Sequence, residues 1–161
     1  MSVTNKYKDY AMNRSFYVKP EAGLLNALGT PCHVSQAFNP ANGIPERPRV
    51  EFAALWDTGA THSIITPKVV EALGLKPLRR IRQIFTRGVN GLDKSEAFLI
   101  NLSLPDKVNF NQVTVFLKEP GDVWWDVLVG MDVISQGQFS IKNVNSNTEW
   151  SFSYALPEGA A

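Results

Sequence analysis

The sequence predicts a mostly β domain with one or two short helices, and three observations point there. Val50–Trp56 and residues 126–130 are short, nearly continuous apolar runs, the kind that form strands buried on both faces. Phe98, Ile100, Leu102 and Leu104 recur at every second position, as do Val113, Val115 and Leu117, which is the period of a strand with one face on a core. Helical signals are confined to two brief stretches, the clearer of them at 66–74.

Along the chain, residues 15–18 and 32–38 are strand candidates separated by a stretch punctuated with Gly and Pro, and together they resemble an arm or leading hairpin. Residues 39–48 are dense in turn formers and read as an exposed loop, so 1–48 is assigned as an N-terminal extension or arm and 49–161 as the body of a single domain. Val50–Trp56 then carries the chain to Asp57, and 63–65 reads as a returning strand. Thr66 can cap a helix that has Pro67 at its first position, Val69, Val70 and Leu73 on its apolar face, and Gly74 as its stop. Residues 82–104 read as a hairpin turning at Arg87-Gly88-Val89-Asn90-Gly91, in which Asn-Gly is the turn signal. After the Val113 strand comes a loop containing Trp124 and Trp125, then the second buried strand at 126–130. A brief helix over 132–136 and closing strands near 139–142 and 149–155 complete the prediction.

Composition narrows the class. The 161 residues suit one domain, and with 44% apolar and 19% charged residues the balance is that of a soluble globular protein. A formal net charge of +1 gives no broad field for nucleic acid or an anionic membrane, and the local cluster Lys76, Arg79, Arg80 and Arg82 reads as a solvated face. Cys32 is the single cysteine, so neither an internal disulfide nor a Cys-rich zinc site can form. In a strand, Cys32 and His33 point to opposite faces, a buried thiol beside a surface histidine. The N-terminus lacks the apolar core of a secretory signal and no run approaches a membrane span, so a cytoplasmic protein without membrane or nucleic-acid partners is expected.

The chemistry lies in Asp57-Thr58-Gly59. An acid held rigidly at the end of a buried strand can be bared by the tight turn that Gly permits, while Thr can bond backbone across a subunit junction. The triplet follows an apolar strand, precedes a strand and a capped helix, and is trailed by a glycine-tipped hairpin and by Leu128-Val129-Gly130. In that order the chain resembles the retropepsin-like, retroviral-type aspartic protease family over about residues 50–139, and its Gly130-Met131-Asp132 is more similar to cellular and bacterial members than to viral ones.

The resemblance implies a closed β-barrel, the half-fold of the acid proteases. It makes Asp57 the catalytic acid, Thr58 the hydroxyl that locks the junction, and Gly59 and Ala60 the backbone bordering the substrate. Gly88, Val89, Asn90 and Gly91 become the tip of a flap, and Leu128, Val129 and Gly130 a strand beside the catalytic loop with apolar side chains available to a pocket. Trp124 and Trp125 could wall a subsite or serve as core or interface aromatics. Thr61 and Met131 stand where viral members have an acid and an arginine, so that ion pair is absent; losing both partners leaves no buried unpaired charge.

A second Asp-Thr-Gly or Asp-Ser-Gly is missing, and Asp9, Asp93, Asp106, Asp122, Asp126 and Asp132 lack its context. The expected enzyme is therefore a homodimeric endopeptidase that needs no metal or cofactor and acts on peptide or protein substrates, the two-fold axis pairing Asp57 with its copy. The alternative is a catalytically silent module of the same fold that binds peptides or mediates dimerisation. A nucleic-acid-associated domain using the basic cluster is a third reading. Serine or cysteine hydrolase chemistry is disfavoured, since only His33 and His62 are present, there is no Gly-x-Ser-x-Gly, and Cys32 lacks an activating setting. His62 reads as a surface or hydrogen-bonded histidine in the loop after the triplet, near enough to tune its pH response.

Overall fold

The apolar periodicities fold into strands of a closed barrel. The structure, a computed structural model, describes residues 14–19, 23–78, 85–88, 91–118 and 121–154, with 85–88 and 91–94 described by their backbone. The elements in order are β1 (Arg14–Val18), β2 (Leu28–Gln36), β3 (Val50–Trp56), β4 (Ile64–Ile65), α1 (Pro67–Leu73), β5 (Phe85–Gly88), β6 (Gly91–Lys94), β7 (Ala97–Leu104), β8 (Val108–Leu117), β9 (Val127–Val129), α2 (Met131–Ile134), β10 (Gln138–Val144) and β11 (Asn147–Tyr154). Short 3-10 turns lie at Pro40–Asn42 and Pro105–Lys107.

The barrel closes in the order β2-β3-β9-β4-β8-β7, and β1-β11-β10 form a separate three-stranded sheet. Two of the barrel pairings, β3 with β9 and β4 with β8, are parallel. The consequence for the site is topological: the chain leaves β3, loops through 57–63 and returns as β4, but β3 and β4 are not neighbours. β9 comes back later in the chain and fills the gap between them.

Packing explains most of the pattern. Phe98, Ile100, Leu102 and Leu104 of β7 are all buried, and their neighbours across the barrel include Val34, Val115, Val127 and Val129. At one end of the barrel the terminal sheet supplies Phe16, Trp150 and Phe152, whose rings meet Trp56 at the end of β3 with centroids 5.1 to 5.5 Å apart. Phe139 stacks on Trp56 with the planes 4° apart. Such aromatic pairs contribute about 0.5–1.5 kcal/mol each beyond their burial. The Trp56 indole N–H donates to the Thr30 hydroxyl at 3.0 Å, so this large ring enters the core without an orphaned donor. Gly137 enters β10 where a Cβ would collide with the Ser153 carbonyl and lie 2.5 Å from the Phe152 ring, which is why the turn out of α2 needs glycine.

The expected leading hairpin does not form. β1 pairs with β11, and β2 pairs with β3 and β7, so the barrel already includes residues well before 49. Long-range pairing of this kind leaves no local sequence signal. Helix α1 starts and stops as expected, with Pro67 first and Gly74 left-handed at φ 58°. The Thr66 hydroxyl, however, makes no capping bond, and the Thr66 carbonyl accepts from Val69 and Val70 instead. Asn145 and Ser146, at φ 50° and 60°, make the tight turn between β10 and β11. Within the basic cluster, Arg79, Arg80 and Arg82 lie outside the described residues, and no described helix is long and apolar enough to cross a membrane.

One ion cluster ties the terminal sheet together. Glu149 on β11 is nearly buried and sits 2.9 Å from the Lys142 ammonium and 3.9 Å from that of Lys19. Its hydrogen bond with the Tyr17 hydroxyl, followed by Lys142, holds its carboxyl below the ordinary value of 4.5. A carboxyl lowered in the folded state stabilises above its unfolded value, and that contribution disappears as pH falls through the folded value. We predict that Glu149→Gln flattens the acid limb of stability. Between about pH 6 and about pH 3 the urea midpoint of the variant should fall less than that of the parent; parallel losses in the two proteins would contradict the assignment.

Candidate active site

Asp57 is the first residue beyond β3, and its position follows from the strand order. Its backbone N–H extends the β3–β9 ladder by donating to the Val129 carbonyl at 3.0 Å. The chain then turns: the Ala60 N–H donates to the Asp57 carbonyl at 3.3 Å and the Gly59 N–H to Asp57 Oδ1 at 2.8 Å. One carboxylate oxygen is thus fixed by the turn, while Oδ2 has no partner among the described residues. Asp57 is partly buried, and Thr58 and Gly59 are exposed, with no described hydrogen bond to the Thr58 hydroxyl. The acid is oriented and left open on one side.

The loop rests on the end of β9. A Cβ on Gly130 would lie 2.7 Å from the His62 carbonyl carbon and oxygen, closer than real side chains come, and 3.0 Å from the Ala60 oxygen. Glycine is required there by contact rather than by an unusual backbone angle. Helix α2 begins at once and turns its first amides into the loop: Met131 N–H donates to the Ala60 carbonyl at 2.8 Å and Asp132 N–H to that of Thr61 at 3.2 Å.

Two further carboxylates brace this arrangement. Asp132 accepts from the Ser63 N–H at 2.9 Å, the Ser63 hydroxyl at 2.7 Å and its neighbour Val133 N–H at 3.0 Å. The fully buried Ser63 hydroxyl in turn accepts from Gly130 N–H at 3.0 Å. Bonds to an ionised acceptor are roughly twice as strong as neutral ones, so this brace fixes the far end of the loop. On the other flank, Asp126 accepts from the Ala53 N–H at 3.1 Å and pairs with Lys68 at 2.9 Å, while its carbonyl accepts from Thr66 N–H at 3.0 Å. It joins β3, β9 and the start of α1.

Both braces escape the sequence reading, which sets Asp126 and Asp132 aside for lacking the Thr-Gly context. The signal available was position: each acid sits immediately at one end of the 126–132 stretch where the second apolar run meets a turn.

The other site candidates separate. Gly59, Ala60 and Gly130 come together at the loop. Val129 differs from expectation: its side chain is wholly inside the barrel core, so it offers Asp57 its carbonyl and offers no side chain to a pocket. Leu128, on the opposite face of β9, keeps a small exposed surface. Gly88 pairs with Gly91 in the β5–β6 hairpin. Val89 and Asn90 lie outside the described residues, and no described hydrogen bond links the hairpin to 57–60. The two tryptophans also part. Trp125 is buried, whereas Trp124 is 59% exposed and lies over Gly29, where a Cβ would be 3.0 Å from its ring. Cys32 is buried, and burial pushes its thiol up to about 12, which removes it as a nucleophile near neutral pH. His33 lies on the outer face, 3.5 Å from Glu51.

Comparison with known proteins follows the same lines. A family model described as "gag-polyprotein putative aspartyl protease" matches residues 48–136, more than half the chain. No curated protein sequence matches it. Among solved structures, the chain is similar to a retropepsin-like aspartic protease from Rickettsia conorii, with a TM-score of 0.54 at 14% identity over 90% of this chain and 97% of that one. The EIAV protease in complex with the inhibitor HBY-793 aligns at a TM-score of 0.48 and 15% identity, over 72% of this chain and 92% of that one. The retroviral protease-like domain of Ddi1 from Leishmania major aligns at 0.41 and 21% identity, over 86% and 100%. At these identities the likeness is one of fold, and the Rickettsia alignment carries it.

The brace is open to direct test. Gly130→Ala should cost about 3 kcal/mol through overpacking, and Asp132→Ala a similar amount, about 3 kcal/mol, by leaving the Ser63 donors unmet. Urea unfolding measures both, and a change under about 0.5 kcal/mol in either variant would show that the loop does not rest on these contacts.

Proposed function

The chain belongs to the gag-polyprotein aspartyl protease family, and from that membership we propose that it is one subunit of an aspartic endopeptidase, its site completed by a second copy. The observation that carries this reading is the state of Asp57: one carboxylate oxygen held by Gly59, the other without a partner among the described residues, at an exposed turn. A symmetric pair of such turns supplies what one lacks, because a two-fold axis through the site sets Asp57 beside its copy.

Two carboxylates brought that close cannot both be ionised, so the pair holds one proton between them, a behaviour for which aspartic proteases are the standing example. The ionised member takes a proton from a water lying between them as that water attacks the scissile carbonyl. The protonated member donates to the carbonyl oxygen. In the tetrahedral adduct the first member passes the proton it took from water to the nitrogen, a hydroxyl of the adduct returns its proton to the second as the C–N bond breaks, and an acid and an amine leave. Thr58 is assigned to the junction between subunits, where its exposed hydroxyl can find the backbone of the partner. Gly59 and Ala60 border an extended peptide, Leu128 offers its limited apolar surface, and the β5–β6 hairpin, with Gly88, Val89, Asn90 and Gly91 at its tip, covers it.

Incubating wild type and Asp57→Asn with a diverse peptide library, with products read by mass spectrometry, tests this. The variant should lose cleavage by at least about a thousandfold while keeping the dimer mass. Equal products from both proteins would remove Asp57 from the mechanism. A wild type that dimerises, binds peptides and cuts none would be the silent binding module instead.

A further inference from the structure

Outside the Asp57 turn, the structure holds a cleft of about 730 Å³ with His62 and the Phe116 ring at one end and Tyr154 at the other. Its long wall is β8. That strand pairs with β7 along one side, but on the other side β4 covers only Phe116 and Leu117. From Asn109 to Thr114 the outer edge of β8 has no partner among the described residues, and it faces Gln136 and Asp132 of the α2 region across the cleft.

We propose that this cleft is a second peptide-binding site, taking an uncharged, extended stretch of a protein substrate that lies beyond the residues held at Asp57. The inference rests on the reading of the chain as an endopeptidase subunit and adds to it a determinant of which proteins are held. Four observations carry it. An open strand edge presents main-chain donors and acceptors that an extended peptide can match, with its side chains falling alternately toward and away from the wall.

The lining is mostly amide. Its one carboxylate, Asp132, has its oxygens engaged by Ser63 and Val133, while Asn109, Asn111, Gln112 and Gln136 bring amides that can donate and accept, Asn111 already accepting from Asn101 and Gln136 donating to the Asp132 carbonyl. Asn109 Oδ1 is buried in that wall and accepts no hydrogen bond among the described residues, an acceptor in want of a donor. Finally, the cleft is continuous with the catalytic loop. His62 lies in the loop whose carbonyls meet Gly130, and its ring packs against Phe116 at 5.1 Å. A polypeptide leaving the Asp57 turn past His62 enters the cleft directly.

A bulge shapes how much backbone pairing is available. Between Ile100 and Leu102 the register slips, the Asn101 side chain fills the gap by bonding Asn111 and the Gln112 N–H, and Gln112 sits at φ 54°. The edge is thereby split into two short stretches. Main-chain pairing is brief on each, and the side-chain amides supply the rest of the recognition.

The test uses the full chain carrying Asp57→Asn, which cannot consume the probe, titrated with an uncharged peptide of roughly twelve residues rich in Ser, Gln and Val, long enough to span both stretches of the edge. Backbone amide shifts at Asn109, Asn111 and Thr114 should move saturably, and Gln136→Arg, a change at an exposed residue, should weaken that binding about tenfold. Shifts absent from β8, or unaltered by Gln136→Arg, would overturn the proposal. Hydrogen exchange of the free protein judges the other occupants. Edge amides protected at every protein concentration mean that the chain covers its own cleft, and protection that grows with concentration means that a second copy does; both overturn it.

Where wild type cleaves, the ratio of kcat/KM for a long over a short substrate should fall about tenfold in Gln136→Arg. A protein that cuts nothing refutes the endopeptidase reading by itself and leaves the shift measurement to decide this one.

Discussion

The passage of β9 between β3 and β4, under the loop that joins them, is the constraint on which the rest of the site depends. A loop spanning one strand's width must clear the end of the strand beneath it, and the clearance here leaves no room for a Cβ. Gly130 follows from that geometry, as do the two backbone bonds from Met131 and Asp132 into the loop and the bond from Asp57 to Val129. The position of the acid is therefore set by backbone on backbone, which side-chain motion cannot loosen.

Three acids lie within this small region and have been given different tasks by their surroundings. Asp132 spends its oxygens on partly buried donors and Asp126 on the Ala53 amide and the exposed Lys68 ammonium, holding the loop and the strand in register. Asp57 has one oxygen tied to the turn and one with no partner among the described residues. An acid whose acceptor capacity is used up is a structural part. One that is oriented yet incomplete is available for chemistry, and the contrast distinguishes them more surely than their neighbours in sequence do.

The fold was legible where burial is periodic and the signal local. The apolar face of Phe98 to Leu104 and helix α1 between Pro67 and Gly74 sit where the pattern puts them, because each depends on contacts that a run of similar residues can announce, and Val50–Trp56 forms its strand but buries only Phe52, Ala54 and Trp56 rather than both faces. The Asp57-Thr58-Gly59 turn stood out because its context spans several elements. What could not be read was partner choice. β1 joins β11 and β2 joins the barrel, pairings settled by the terminal aromatic cluster around Trp56 and by barrel closure. Val129 looked available for a pocket because an apolar run has the same appearance on either face. The roles of Asp126 and Asp132 stayed hidden because their partners, Ala53 and Ser63, are distant in the chain and carry no motif.

That separation has a consequence for when the protein comes into being. The strand that ends in Asp57 is made early, yet its neighbour β9 is made late, and the aromatic lid over Trp56 waits for β11. Contacts between such remote segments form slowly, and on a ribosome they cannot form until the distal partner has emerged. A growing chain therefore carries its Asp-Thr-Gly in an unshaped state until β9 and the β10–β11 hairpin have emerged, and the turn around Asp57 is assembled only then.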